Sequence, residues 1–126
     1  MRGIMLCEGP KAPAIRKELQ MTDMSRTSAS FQRFMTDAPA QKAAWFQAIQ
    51  GLGAASTLDV KTQSLIYIGI LAALRLESGI GFHVMEAKAR GASREDIISA
   101  VLTGLPAAGN AVIGALGPAL DAFDGI

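Results

Sequence analysis

The chain has 126 residues, enough for one domain and not for two. Its 12 basic and 11 acidic residues leave a net charge of +1, which argues against nucleic acid as a partner, because such binders cluster basic charge. Half of the residues are hydrophobic, mostly Ala, Ile, Leu, Val and Met, which suits packed helices. So much apolar sequence in so small a chain implies that part of it is buried against another copy.

Cys7 is the single cysteine, which excludes an intrachain disulfide framework and is compatible with a reducing compartment. Residues 1–24 read as a leader or extension, and residues 25–126 as the functional domain. Gly9, Pro10 and Pro13 break any early element, and a short helix is expected from Ala14 to Met21. Met21 and Met24 are alternative start sites. The apolar run Ile4 to Cys7 is too short for a signal peptide and is followed by Glu8 and Pro10. The longest apolar run, Leu65 to Leu74, is about half of a membrane span. The expectation is a soluble, cytoplasmic protein with no membrane partner.

In chain order, Ser30 to Met35 opens a first helix. Asp37 sits before Ala38-Pro39 as a cap followed by an early proline. A helix then runs to Gln50, with Trp45, Phe46 and Ile49 on one side, and Gly51 and Gly53 end it. Asp59 caps the next helix, from Val60 to about Arg75. From Leu65 onward this helix is apolar on nearly every face, so it is expected to be buried on all sides. Its apolar run is ambiguous with a strand on pattern alone; the alanines and the length favour helix. Glu77 to Gly81 makes a turn and the start of a helix through Arg90, with Gly91 following it as the C′ residue. Ser93 to Asp96 resembles a capping box. The helix it opens buries Ile97, Val101 and Leu105 at spacing four, and Pro106 kinks or ends it. Gly109 to Phe123 reads as a last helix with Val112, Leu116 and Leu120 at the same spacing.

His83 is the one histidine. A lone histidine on a helix is more often structural than catalytic. Gly79 and Gly81 leave space beside the ring, and Glu86 at i+3 can pair with the imidazole and hold a tautomer. Such a histidine can act as a general acid or base. One histidine with no nearby cysteine does not make a usual zinc set, so no metal is expected. Gly79-Ile80-Gly81 follows no strand, so it is not a dinucleotide fingerprint. Cys7 has no resolving partner in the chain. Ser64 and Tyr67 interrupt an apolar helix, and a buried hydroxyl needs a partner, which a pocket could supply.

The order LDVKTQSL, an apolar helix, a turn, HVMEAKARGAS and then REDI resembles the carboxymuconolactone decarboxylase family, which includes the alkylhydroperoxidase D proteins. The similarity covers roughly Asp37 to Phe123 and is strongest from Leu58 to Ile97. The resemblance implies an all-α, alkylhydroperoxidase D-like domain of about six helices. It also implies a homo-oligomer, commonly a trimer or a hexamer.

The thiol peroxidase branch of that family carries a CxxC before the histidine and an activating glutamate further upstream. The corresponding positions here are Leu76, Gly79 and Ser64. A thiolate is the nucleophile in that chemistry, and neither Leu nor Gly supplies one. The resemblance therefore points away from alkylhydroperoxidase or peroxiredoxin-type activity. The decarboxylase branch lacks the CxxC, keeps the histidine, and resembles this chain at Thr62, Ser64, Leu65 and Glu77. Its members act without a cofactor on a carboxylated unsaturated lactone. The resemblance implies that His83 delivers a proton to carbon, with Glu77 or Glu86 orienting it. Lys61, Arg75 or Lys88 would neutralise substrate carboxylates, and Ser64 and Tyr67 would line the pocket.

Two departures stand beside this. Leu105-Pro106-Ala107-Ala108-Gly109-Asn110 echoes the decarboxylases' Gly-x-Pro-Ala-Ala-Asn segment in a shifted register. Glycines flank His83 where that branch carries larger polar residues. Two functions are thus carried forward: a cofactor-free decarboxylase or acid/base enzyme on a small carboxylated lactone or keto acid, and a non-catalytic oligomeric member with a vestigial pocket.

Overall fold

The computed structural model describes residues 26–126. The expected leader, the helix from Ala14 to Met21, the alternative starts and Cys7 lie outside the described residues. Those described are helical, joined by short turns, with no strand among them.

Helix α1 spans Ala29–Asp37, and Ser28 caps it by accepting from the Phe31 amide at 3.1 Å. Asp37 does not cap the next helix as expected. It pairs with Arg33 one turn back at 2.6 Å, and Ala38 stands at the N-cap of α2 with no side-chain bond. Helix α2 spans Pro39–Ala55 and runs straight through Gly51 and Gly53. A glycine in a helix costs about 1 kcal/mol and does not forbid the conformation. Phe34 meets the Trp45 ring edge-on at 5.6 Å, and Phe31 meets it at 5.7 Å, so α1 and α2 form an aromatic-pinned hairpin. Neither helix contains a buried residue.

Helix α3 spans Val60–Ala73, with Asp59 accepting from the Thr62 amide at 2.9 Å. It ends in a Schellman turn: Leu76 N–H donates to Leu71 and Arg75 N–H to Ala72, with Arg75 left-handed at φ 61°. A 3₁₀ turn, Glu77–Gly79, leads into α4, Ile80–Ala89, closed by a second Schellman turn through Gly91 at φ 99°. The capping box forms as expected, Ser93 and Asp96 each accepting the other's amide, and opens α5, Arg94–Leu102. The chain continues as α6, Leu105–Ala108, a 3₁₀ stretch Gly109–Ala115, and α7, Leu116–Asp124. The expected single last helix is thus divided. Leu105 is exposed rather than buried, because Gly104 breaks the register that Ile97 and Val101 set.

By length and composition alone, Arg94–Asp124 would pass for a membrane span, with a mean hydropathy of 1.6. The fold breaks it at Gly104 and at Gly109, left-handed at φ 69°. Its apolar positions Ile97, Val101, Val112, Ala115, Ala119 and Ala122 go into the body.

The core joins these residues to Ile68, Leu71 and Ala72 of α3 and to Ile80, Val84 and Ala87 of α4. Its many alanines let helices approach closely. The tightest crossing is α3 on α5, where a Cβ on Gly69 would stand 3.0 Å from the Ala100 carbonyl oxygen.

Helix α3 is not buried all round. Ser64, Ile68, Leu71 and Ala72 face the core, while Val60, Ile66, Tyr67, Ile70 and Leu74 stay exposed. In one copy of the chain, the apolar sequence of this helix exceeds what the body covers.

Candidate functional site

Helix geometry at 3.6 residues per turn divides α4 into two stripes. Ile80, Val84 and Ala87 form the buried one. His83, Glu86 and Arg90, at spacing three and four, form a second stripe beside it, turned toward α3. These three side chains are 27%, 23% and 25% exposed, each half-sunk at the rim of the core.

The stripe makes a continuous chain of contacts with α3. Tyr67 stands edge-on to the His83 ring, centroids 4.4 Å apart, and Phe82 flanks it at 5.2 Å. His83 Nδ1 lies 3.6 Å from Glu86 Oε1, an electrostatic contact too long for a hydrogen bond. Glu86 Oε2 lies 3.6 Å from Arg90 Nη2. Arg90 Nη1 donates to Ser64 Oγ at 2.7 Å. Ser64 is the buried polar residue of the core region, and this bond satisfies its hydroxyl.

The other expected site residues go elsewhere. Glu77 lies across α4 from His83. Position 81 is turned roughly 160° from position 83 around the helix, and Glu77 opens onto the Gly81 side. There its Oε2 approaches Gly114, at 3.2 Å from where a Cβ would stand. It borders a shallow cleft of about 490 Å³ together with Arg26, Ser78, Gly81, Pro118 and Asp121. Glu77 is therefore not the group that orients His83. The same periodicity corrects the reading of the glycines: Gly81 packs toward Arg26 and Ala122, not beside the imidazole.

The three cations expected to meet a carboxylate are engaged away from His83. Lys61 Nζ is 3.4 Å from Asp96 Oδ2. Arg75 Nε is 4.0 Å from Glu77 Oε2. Lys88 donates to the Phe123 carbonyl at 2.6 Å and sits over that ring at 4.4 Å. Arg90, not singled out from the sequence, is the cation that the fold brings to the site. The signal for it was its place four residues after Glu86 and seven after His83, on one helical face.

The polar ends of neighbouring elements are also fixed by charge. The Thr62 amide and hydroxyl hold the Asp59 carboxyl below the usual carboxylate range. The Ser93 amide, then Lys61, does the same for Asp96. Arg94, bonded to Asp124 through two 3.0 Å contacts, lowers that carboxyl and is itself raised. Among the described residues, no group of three or more His, Cys, Asp or Glu is placed to hold a metal ion.

Residues 39–121, well over half of the chain, match the sequence model of the carboxymuconolactone decarboxylase family. The chain belongs to the carboxymuconolactone decarboxylase family. The match spans α2 to α7 and includes every residue of the Ser64–Arg90–Glu86–His83–Tyr67 chain. No curated protein and no solved structure matches the sequence.

Proposed function

We propose that the protein is a cofactor-free acid/base enzyme of the carboxymuconolactone decarboxylase family. It acts as a homo-oligomer on a small carboxylated lactone or keto acid. The observation that carries this reading is the half-exposed His83, held between Tyr67 and Glu86 and linked through Glu86 to Arg90.

The chemistry asks for few groups. A carboxylate on the saturated carbon α to a carbonyl, or on the γ carbon of an α,β-unsaturated one, loses CO2 when the C–C bond electrons flow into that carbonyl as an enolate or dienolate. The enolate then takes a proton on carbon and regenerates the carbonyl. His83 is the proton donor, since imidazole gives and takes protons readily near neutral pH. Glu86 lies 3.6 Å from Nδ1 and orients the ring. The Arg90 guanidinium offers planar donors to a carboxylate or to the enolate oxygen. Tyr67 walls the ring on the α3 side. Loss of the thiol pair at Leu76 and Gly79 does not touch this route, because no sulfur takes part.

The test is CO2 release from a panel of carboxylated lactones and β-keto acids, by the wild type and by His83→Ala. Turnover by the wild type alone supports the reading. No turnover with any compound, at an unchanged oligomeric state, favours the alternative: a non-catalytic oligomeric member of the family with a vestigial pocket.

A further inference from the structure

Among the described residues two apolar surfaces are left open, and each has the shape of a helix face. On α2, Trp45, Ile49 and Leu52 follow at spacing four and three, and all are exposed. On α3, Val60, Tyr67, Ile70 and Leu74 lie along one outward stripe and are exposed too, Leu74 at 62%. With Ile66, arm and face together present on the order of 800 Å², so a reciprocal exchange takes from each copy about what one partner brings to a stable interface. A monomer rarely leaves apolar faces of this kind open. Both helices are also nearly free of charge: Lys42 is the one ionic residue of α2, and Lys61 that of α3. Depletion of charge is what distinguishes the centre of an interface.

The hairpin that carries the first stripe is pinned internally by its aromatic cluster, yet it buries nothing against the body. Helices of 9 and 17 residues are marginal in water without tertiary packing. The hairpin is stabilised by finding a surface, and among the described residues the α3 stripe is an open apolar surface long enough to receive it.

We propose that the α1–α2 hairpin of one copy lies on the α3 face of a second copy. It lays Trp45, Ile49 and Leu52 along Val60, Tyr67, Ile70 and Leu74, and so encloses that neighbour's His83 site. Tyr67 links the two roles, being at once a member of the outward stripe and the ring packed on His83. A cover over Tyr67 excludes water from the His83–Glu86–Arg90 row, where the charges would then act more strongly. The site of each copy is completed by its neighbour. This inference rests on the self-association proposed above and adds which segment makes it.

The experiment uses the full chain with Leu52→Asp on the arm and Ile70→Asp on the face. Both positions are exposed, and helical circular dichroism checks each variant's fold; Leu52→Ala and Ile70→Ala serve if an aspartate variant does not fold. Light scattering gives mass, and Trp45, the one tryptophan, reports its surroundings by emission. Each single aspartate variant should weaken association about 100-fold and shift Trp45 emission to the red. An equimolar mixture should recover association and the blue emission, because one intact arm then meets one intact face. His83, the one histidine, should react with diethyl pyrocarbonate faster in Leu52→Asp than in the wild type. Wild-type association with Leu52→Asp unaffected, or a mixture that behaves as the sum of its parts, overturns the arm exchange while leaving self-association standing. A wild type that stays monomeric at every concentration overturns both. Equal reactivity of His83 in wild type and Leu52→Asp overturns the enclosure.

Discussion

Arg90 and Ser64 meet at 2.7 Å across the α3–α4 packing, the guanidinium donating to a buried hydroxyl. Removing the arginine orphans that hydroxyl. Arg90→Ala should therefore cost about 1–3 kcal/mol of unfolding free energy, more than the loss of one hydrogen bond alone. Ser64→Ala should cost less. In a double-mutant cycle by urea denaturation, the double variant should be more stable than the two single losses added together predict. Strict additivity would mean that the bond carries no coupling.

The Gly69–Ala100 crossing gives a second expectation. A methyl at Gly69 meets a backbone carbonyl at 3.0 Å, which cannot rotate aside. Gly69→Ala should push α3 from α5 and cost about 1–3 kcal/mol, as overpacked cores do. Gly51 lies inside α2, one turn before its C-terminal end, with nothing within 4 Å of a Cβ. Gly51→Ala should instead stabilise by about 0.5–1 kcal/mol. Thermal midpoints moving in opposite directions check the pair.

Arg75 carries the left-handed turn that a glycine usually carries, at φ 61°. Its ion pair with Glu77 is long at 4.0 Å and exposed, so it offsets little. Arg75→Gly should raise stability by about 1 kcal/mol. Gly91→Ala, at φ 99°, should lower it by a similar amount. Chemical denaturation of the two variants reads both signs.

How much of this was legible in the sequence follows from what kind of force fixes each part. Caps at Asp59 and Ser93, the turn at Gly91 and the core positions Ile97 and Val101 are local or periodic features, and the structure has them where the pattern puts them. Helix α2 runs past the end that Gly51 and Gly53 predict, because a glycine in a helix is a penalty and not a stop. At the site, pairing within one helix was readable, as between His83 and Glu86. Pairing between helices was not: the Ser64 hydroxyl gave no sign that it would meet Arg90. The resemblance implies Glu77 beside His83, whereas six residues through a 3₁₀ turn carry it to the far side of α4.

Three carboxyls, Asp59, Asp96 and Asp124, are held below the ordinary range by amides and cations that exist only in the fold. Their folded values lie below their unfolded ones. Their contribution is thus fully present above the unfolded value of about 3.9 and is lost as pH falls through the lowered folded values. Urea midpoints should hold level down to about pH 5 and then fall. Asp59→Asn, which keeps a capping side chain without the titration, should flatten part of that fall. A profile unchanged by the substitution would show that this cap is not a source of the acid sensitivity.

The resemblance implies that Leu76 and Gly79 occupy the thiol positions of the peroxidase branch, and Cys7 is the single cysteine of the sequence, so a hydroperoxide assay with a dithiol reductant is expected to be blank. Thiol-dependent turnover would require a different sulfur chemistry from the one the family uses.

Proton transfer by His83 is read out by kcat for CO2 release, on the best compound of the panel, with His83→Ala compared against wild type at matched oligomeric state. If His83 moves the proton, kcat falls by about 10²–10⁴-fold, the range of general acid/base catalysis. Turnover by His83→Ala at the wild-type rate would contradict that role.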